Sequence, residues 1–237
     1  MRKHQSLPHL VEPMSRPLCH ACRRPQATCL CPCITPFRTR MRFILLTHPK
    51  EYRSNRIGTG RITHLSLPCS EVHVGTDFRR HARVNAIIDA PDTDCRLVYP
   101  GTDGENLSRG EYHPVPRRRP VFCLVDATWT CAGKILRCSD NVRGLPRVGF
   151  DATGPSAFAI KRQPRPGCLA TIEAAWCCLT LLAADGHEDF GARDGRWLLA
   201  PFQHIMEIQQ GYPGASRRGV TRAAVRTGRA GPRGPTA

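Results

Sequence analysis

Val121-Phe122-Cys123-Leu124-Val125-Asp126-Ala127-Thr128-Trp129 is the stretch on which the reading of this 237-residue chain turns. Its first five residues form a continuous apolar run, as expected of a strand buried on both faces. The run ends on an acid, and a threonine and a tryptophan follow at once. Thr130 to Arg137 then has helical periodicity, with Ala132, Ile135 and Leu136 on one face and Thr130, Lys134 and Arg137 on another. Ligands of open α/β sheets bind beyond the carboxyl ends of strands, so Asp126 stands where a catalytic group would be placed. Position alone allows a plainer reading equally well, in which Asp126 caps the helix and Trp129 packs beneath it.

Outward from this centre the chain alternates strands with helices. Arg42–Thr47, Glu71–Gly75, Cys95–Tyr99 and Ala157–Ile160 read as strands, and Arg61–Leu67 as a short helix closed by Pro68. A longer helix opens at Thr171, with Ile172, Ala175, Trp176, Leu179 and Leu182 on one face and Gly186 at its end. A last helix near Pro201 turns Phe202, Ile205 and Met206 inward. The alternation predicts an α/β domain. Residues 103 to 120 read as a polar surface loop. Gly58-Thr59-Gly60, flanked by Arg53, Arg56 and Arg61, is either a phosphate- or carboxylate-binding loop or a solvated one.

The amino-terminal part carries different chemistry. Residues 1 to 17 read as a flexible leader. Residues 18 to 36 contain Cys19-x2-Cys22, six residues, then Cys29-x-Cys31, with Cys33 just beyond. Two close thiolate pairs can surround a tetrahedral zinc, so Cys19, Cys22, Cys29 and Cys31 are the expected ligands of a closed, structural knuckle. Cys33 is an alternative to Cys31, and His20 a poorer one. Thirteen cysteines without an export signal point to reduced thiols and a metal, and to a cytoplasmic protein.

The formal charge is +16, from 35 Lys and Arg against 19 Asp and Glu, and arginine greatly outnumbers lysine. Guanidinium groups pair with phosphate and stack on bases, so the balance favours a nucleic-acid partner. Six arginines and no acids lie in residues 211 to 237, which read as a disordered basic tail. No apolar run is long enough to span a membrane. No protein partner is predicted.

Several of these pieces, taken in order, resemble the DTW-domain family of tRNA-uridine aminocarboxypropyltransferases. They are the cysteine knuckle, His48-Pro49-Lys50-Glu51, Gly58-Thr59-Gly60-Arg61, Leu97-Val98-Tyr99-Pro100 and Asp126-Ala127-Thr128-Trp129. Leu145-Pro146-Arg147-Val148, Ile160-Lys161-Arg162-Gln163-Pro164 and Thr171-Ile172-Glu173-Ala174 complete the set, over roughly residues 18 to 210. Two positions depart from the family pattern: Ala127 replaces the usual Gly, and Ala170 the usual Ser before Thr171.

The resemblance implies a SPOUT-like knotted sheet-and-helix domain over residues 37 to 210, preceded by the four-cysteine zinc knuckle. It implies transfer of the 3-amino-3-carboxypropyl group of S-adenosylmethionine to N3 of a tRNA uridine, releasing methylthioadenosine. Asp126 would act as general base or orienter, Thr128 would donate a hydrogen bond, and Trp129 would stack on uracil or belong to the core. Tyr99-Pro100-Gly101 and Leu145-Pro146-Arg147 would hold the adenosine part of the donor, and Arg61 or Arg147 its carboxylate. Arg56, Lys134, Arg137 and Arg165, with the knuckle and the tail, would meet tRNA phosphate. The competing readings are a SPOUT-like RNA methyltransferase and a non-catalytic zinc-dependent RNA-binding protein.

Overall fold

The computed structural model describes residues 17–53, 58–101, 103–151, 168–191 and 195–210. The leader, the tail, Arg56, Arg165, the expected strand at 157–160 and the Ile160–Pro164 motif lie outside the described residues.

Six parallel strands form one sheet in the order β2-β1-β5-β3-β6-β4. They are β1 (Arg42–Thr47), β2 (Ser70–Val74), β3 (Thr93–Val98), β4 (Glu105–Asn106), β5 (Arg119–Asp126) and β6 (Arg147–Gly149). The decisive apolar run is the carboxyl-terminal part of β5, which lies between β1 and β3. Its side chains alternate, as the period of two requires. Phe122 and Leu124 join Phe43 and Leu45 of β1 on one face. Val121 and Cys123 join Ile44 and Leu46 on the other. Both faces are therefore apolar and both must be covered.

Helices cover them in two layers. The first face carries α2 (Thr59–Ser66), α6 (Thr171–Ala184) and α7 (Ala200–Gln210), through Ile62, Ile172, Leu179, Phe202 and Ile205. The second carries α3 (Ala82–Ile88), α4 (Trp129–Cys138) and α5 (Asp140–Arg143), through Val84, Ile87, Ile135, Leu136 and Val142. A short α1 (Pro49–Arg53) follows β1. Each large apolar side chain sealed this way contributes about 1.5–3 kcal/mol, which is why the alternation, more than helix propensity, sets the architecture.

The expected elements at β1, β2, β3, β5, α2, α4, α6 and α7 are present within a few residues, and Gly186 ends α6 at φ 79°. Trp176 is only partly buried, and Cys178 takes its place on the inner face of α6. Residues 103 to 120 are more than a surface loop. They contain β4, the first residues of β5 and the buried Leu107 and Tyr112. The reason is electrostatic: Arg96, buried in β3, is neutralised by Asp94 at 2.9 Å and by Glu105 of β4 at 2.9 Å. No helix among the described residues is long and apolar enough to cross a membrane.

The knuckle is part of this body. Cys22 and Leu30 belong to the same buried cluster as α6 and α7. Because every strand runs the same way, the carboxyl ends of β2, β1 and β5 form one edge, with Val74, Thr47 and Asp126 in register. Asp126 stands on that edge.

Candidate active site

Asp126 is 6 % exposed and closes β5. It does not cap α4. That role falls to Thr128, whose hydroxyl accepts from the Cys131 amide at 3.4 Å, and Thr128 itself is exposed. The Asp126 carboxylate instead meets two elements from the other side of the sheet. Thr171, at the start of α6, donates its hydroxyl to Oδ1 at 2.7 Å. Gly60, in the first turn of α2, lies so close that a Cβ there would overlap the carboxylate. Only glycine permits this approach, and it sets the acid at the positive end of the α2 dipole. Ala127, where the family has Gly, is not among the residues with left-handed backbone, so the exchange costs nothing in conformation.

Asp126 forms part of the wall of a cleft of about 350 Å³, a size that suits a small ligand. Thr47, Glu51, Tyr52, Arg61 and His64 also line it, and His20, Ala21 and Arg23 enter from the knuckle. Arg61 donates to the Tyr52 carbonyl at 2.8 Å, and its guanidinium carbon lies 5.2 Å from the Tyr52 ring centroid. Burial, and after it the charge of Arg23, push the Arg61 guanidinium below its usual range. A larger depression lined by Asp77, Arg79, Arg80 and His81 contains none of the expected site residues.

The expected donor-binding turns come together on the other side of Asp126. Tyr99 follows β3, and its ring lies 6.2 Å from that of Trp129 at the start of α4. The Tyr99 amide donates to the Val148 carbonyl, and the Leu97 amide to that of Pro146. Arg147 pairs with Asp103 at 3.0 Å, and a side chain on Gly101 would meet Arg147 Nη1 at 3.0 Å. Tyr99, Gly101, Trp129, Pro146 and Arg147 thus share one corner, with Pro100 and Leu145 beside them in sequence. Arg61 does not belong to it. Lys134 and Arg137 are exposed on α4, which packs against the second face.

Cys19, Cys22, Cys29 and Cys31 bring their sulfurs within 4.8 Å of one another, and neither Cys33 nor His20 belongs to the group. Sulfurs of Cys19 and Cys31 are 3.6 Å apart, and those of Cys22 and Cys29 3.8 Å. Zinc–sulfur bonds of about 2.3 Å arranged tetrahedrally place sulfurs roughly 3.8 Å apart, so the four fit that ion. Amides of Cys22 and Ala21 draw the Cys19 thiol down to about 6. Burial, then the Cys19 and Cys29 thiols, push Cys31 up to about 12. Four cysteine sulfurs brought this close are a set that a divalent cation would complete on their deprotonation.

Three contributors carried no role in the sequence reading: Thr171, Tyr52 and Arg23. Thr171 had a signal, since it stands in the Thr171–Ala174 motif beside the helix start. Arg23 had only its place in the knuckle, and Tyr52 had none.

Fold and site define a parallel α/β protein with a charged cleft at the carboxyl edge of its sheet and a four-cysteine knuckle forming one wall. The chain belongs to the DTW domain family, whose description matches residues 16–210. It is 32 % identical over 177 residues to tRNA-uridine aminocarboxypropyltransferase 2 of Drosophila melanogaster, covering 72 % of this chain and 68 % of the fly protein. The mouse protein of the same name is 29 % identical over 70 % of this chain and 57 % of its own length. tRNA-uridine aminocarboxypropyltransferase A of Arabidopsis thaliana is 28 % identical over 73 % and 75 %. No solved structure matches the chain.

Proposed function

We propose that this chain transfers the 3-amino-3-carboxypropyl group of S-adenosylmethionine to N3 of a uridine in tRNA, releasing methylthioadenosine. The observation that carries this reading is Asp126, a buried carboxylate held by Thr171 and Gly60 in a cleft at the end of the central strand. The names of the related proteins agree with it.

N3 of uracil bears a proton and is a poor nucleophile until that proton leaves. Asp126 accepts it as the N3–carbon bond forms. S-adenosylmethionine supplies the electrophile, a carbon whose bond to a sulfonium breaks so that sulfur keeps the electron pair. Thr171 and the amino end of α2 hold the carboxylate in one orientation, which is what a positioned base requires. Tyr99-Pro100-Gly101 and Leu145-Pro146-Arg147 take the donor's adenosine side, Trp129 beside Tyr99 joins them in place of the uracil stacking expected above, and Arg147 takes the donor's carboxylate. Lys134 and Arg137 add phosphate contacts along α4. Zinc at Cys19, Cys22, Cys29 and Cys31 keeps the knuckle folded. The knotted, SPOUT-like arrangement belongs to the same proposal, supported by the parallel sheet and by the return of α6 to Asp126.

The test compares the unaltered chain with Asp126→Asn on unmodified tRNA, reading nucleosides and small products by mass spectrometry. Aminocarboxypropyl-uridine with methylthioadenosine is expected, reduced by roughly 100-fold or more in the variant while tRNA binding persists. Unchanged product in the variant would remove Asp126 from the mechanism. Methylated nucleoside with S-adenosylhomocysteine would replace the reaction with methyl transfer.

A further inference from the structure

Arg23 is an odd residue to find where it is. It lies between the two cysteine pairs of the knuckle at φ 57°, a left-handed backbone that a non-glycine residue adopts at a cost of about 1 kcal/mol or more. The knuckle imposes this conformation. The Arg23 amide donates to the Cys19 carbonyl at 2.8 Å, and the Cys19 amide to the Arg24 carbonyl at 2.7 Å. From this turn the exposed side chain reaches α1, where it donates to Tyr52 Oη at 3.2 Å with its guanidinium carbon 4.7 Å from the ring centroid. Arg61 approaches the same ring from α2. Two cations therefore meet at one neutral side chain, and among the described residues neither forms an ion pair with a carboxylate. Asp126 lies in the same cleft.

A cleft with arginines in one part and a hydrogen-bond-accepting carboxylate in another is polar in a particular sense. An anion fits the arginine part and is repelled by Asp126, whereas a neutral group bearing an acidic N–H fits Asp126. A nucleotide carries both, a phosphate and a uracil edge, about one sugar apart. We propose that Arg23 is a phosphate-binding residue of this cleft, acting with Arg61 across Tyr52 to grip the RNA backbone beside the nucleotide that presents to Asp126. The knuckle is then a wall of the substrate site as well as a brace. This inference rests on the tRNA reading above, which already has the knuckle meet tRNA phosphate, and adds to it which residue holds the backbone and where.

The experiment uses the full, zinc-loaded chain and the variants Arg23→Gly and Arg23→Lys. Glycine suits the left-handed backbone, so the turn survives while the guanidinium is lost. Binding to unmodified tRNA is measured across a range of potassium chloride concentrations, and S-adenosylmethionine affinity and thermal stability alongside. Arg23→Gly is expected to bind tRNA roughly 10-fold more weakly and to lower the slope of log affinity against log salt by about 0.7 to 0.9, the value of one lost phosphate contact. Donor affinity and melting temperature stay unchanged, and Arg23→Lys recovers part of the slope. A purely structural role would leave the slope where it was. Unaltered slope and affinity in Arg23→Gly overturn the inference. A loss confined to S-adenosylmethionine affinity also overturns it, assigning the guanidinium to the donor's carboxylate. Should the unaltered chain neither bind nor modify any tRNA, the underlying reading fails instead, and the two failures are distinguishable.

Discussion

The two sides of Asp126 are built on different principles. On the β1 side, the cleft draws on Arg23, Tyr52, Gly60, Arg61 and Thr171, drawn from separate segments of the chain, and its charges are fitted around a buried carboxylate. On the β3 side, Tyr99-Pro100-Gly101, Trp129 and Leu145-Pro146-Arg147 supply turns, an aromatic pair and an Arg147–Asp103 ion pair with Asp103 largely exposed. On the first side Gly60 and Thr171 pack directly against the Asp126 carboxylate. The second is held by backbone hydrogen bonds and a surface ion pair. Buried contacts fix the acid on one side, and exposed ones shape the other.

The largest expected effect tests whether the knuckle is a true part of the β1 side. Chelation of the zinc proposed for the knuckle, or replacing Cys22 with Ser, should unfold residues 18 to 36 and expose the buried Leu30. Melting temperature and protease resistance of the whole domain should fall together, and tRNA affinity with them. If only the knuckle loosens while the cleft keeps its ligand, the β1 side is less integrated than its packing indicates.

Next is Gly60→Ala, which places a methyl group into the Asp126 carboxylate. Either α2 or Asp126 must shift, at about 1–3 kcal/mol, the usual penalty of overpacking. Product formation should fall by at least about 10-fold, since small displacements of a positioned group are expensive in rate. The comparable change on the other side, Trp129→Ala, should be milder and of another kind. It should raise the apparent KM for S-adenosylmethionine severalfold with little change in unfolding temperature, because Trp129 is only partly buried. Equal losses of stability from the two changes would erase the contrast.

Thr171→Val is the finest probe. It keeps the shape of the side chain and deletes the hydroxyl that donates to Asp126 at 2.7 Å. A net loss of about 1 kcal/mol in stability is expected. A fall in kcat without a change in tRNA affinity would mark Thr171 as a positioning residue, and Thr171→Ser should restore the rate. An unchanged pH–rate profile in Thr171→Val would show that the hydroxyl supports the fold alone.

Much of the fold was legible. The run from Val121 to Val125 could only be an interior strand, and β1, α4, α6 and α7 announce themselves by the same local periodicity. Four cysteines in two close pairs named their own cluster. What failed was non-local. Residues 103 to 120 look solvated because their polar side chains are counted without the buried Arg96 that two acids neutralise.

The amino-acid sequence by itself determined the α/β class, the central strand, the acid at its end and the sulfur cluster, since each is written in residues close together. Only the tertiary structure decided what surrounds that acid. The Thr171 hydroxyl, the glycine contact at residue 60 and the paired arginines on Tyr52 join segments up to 148 positions apart, from Arg23 to Thr171. Such contacts follow from how strands order themselves in a sheet and how helices cross its faces, and no local pattern of residues records that order.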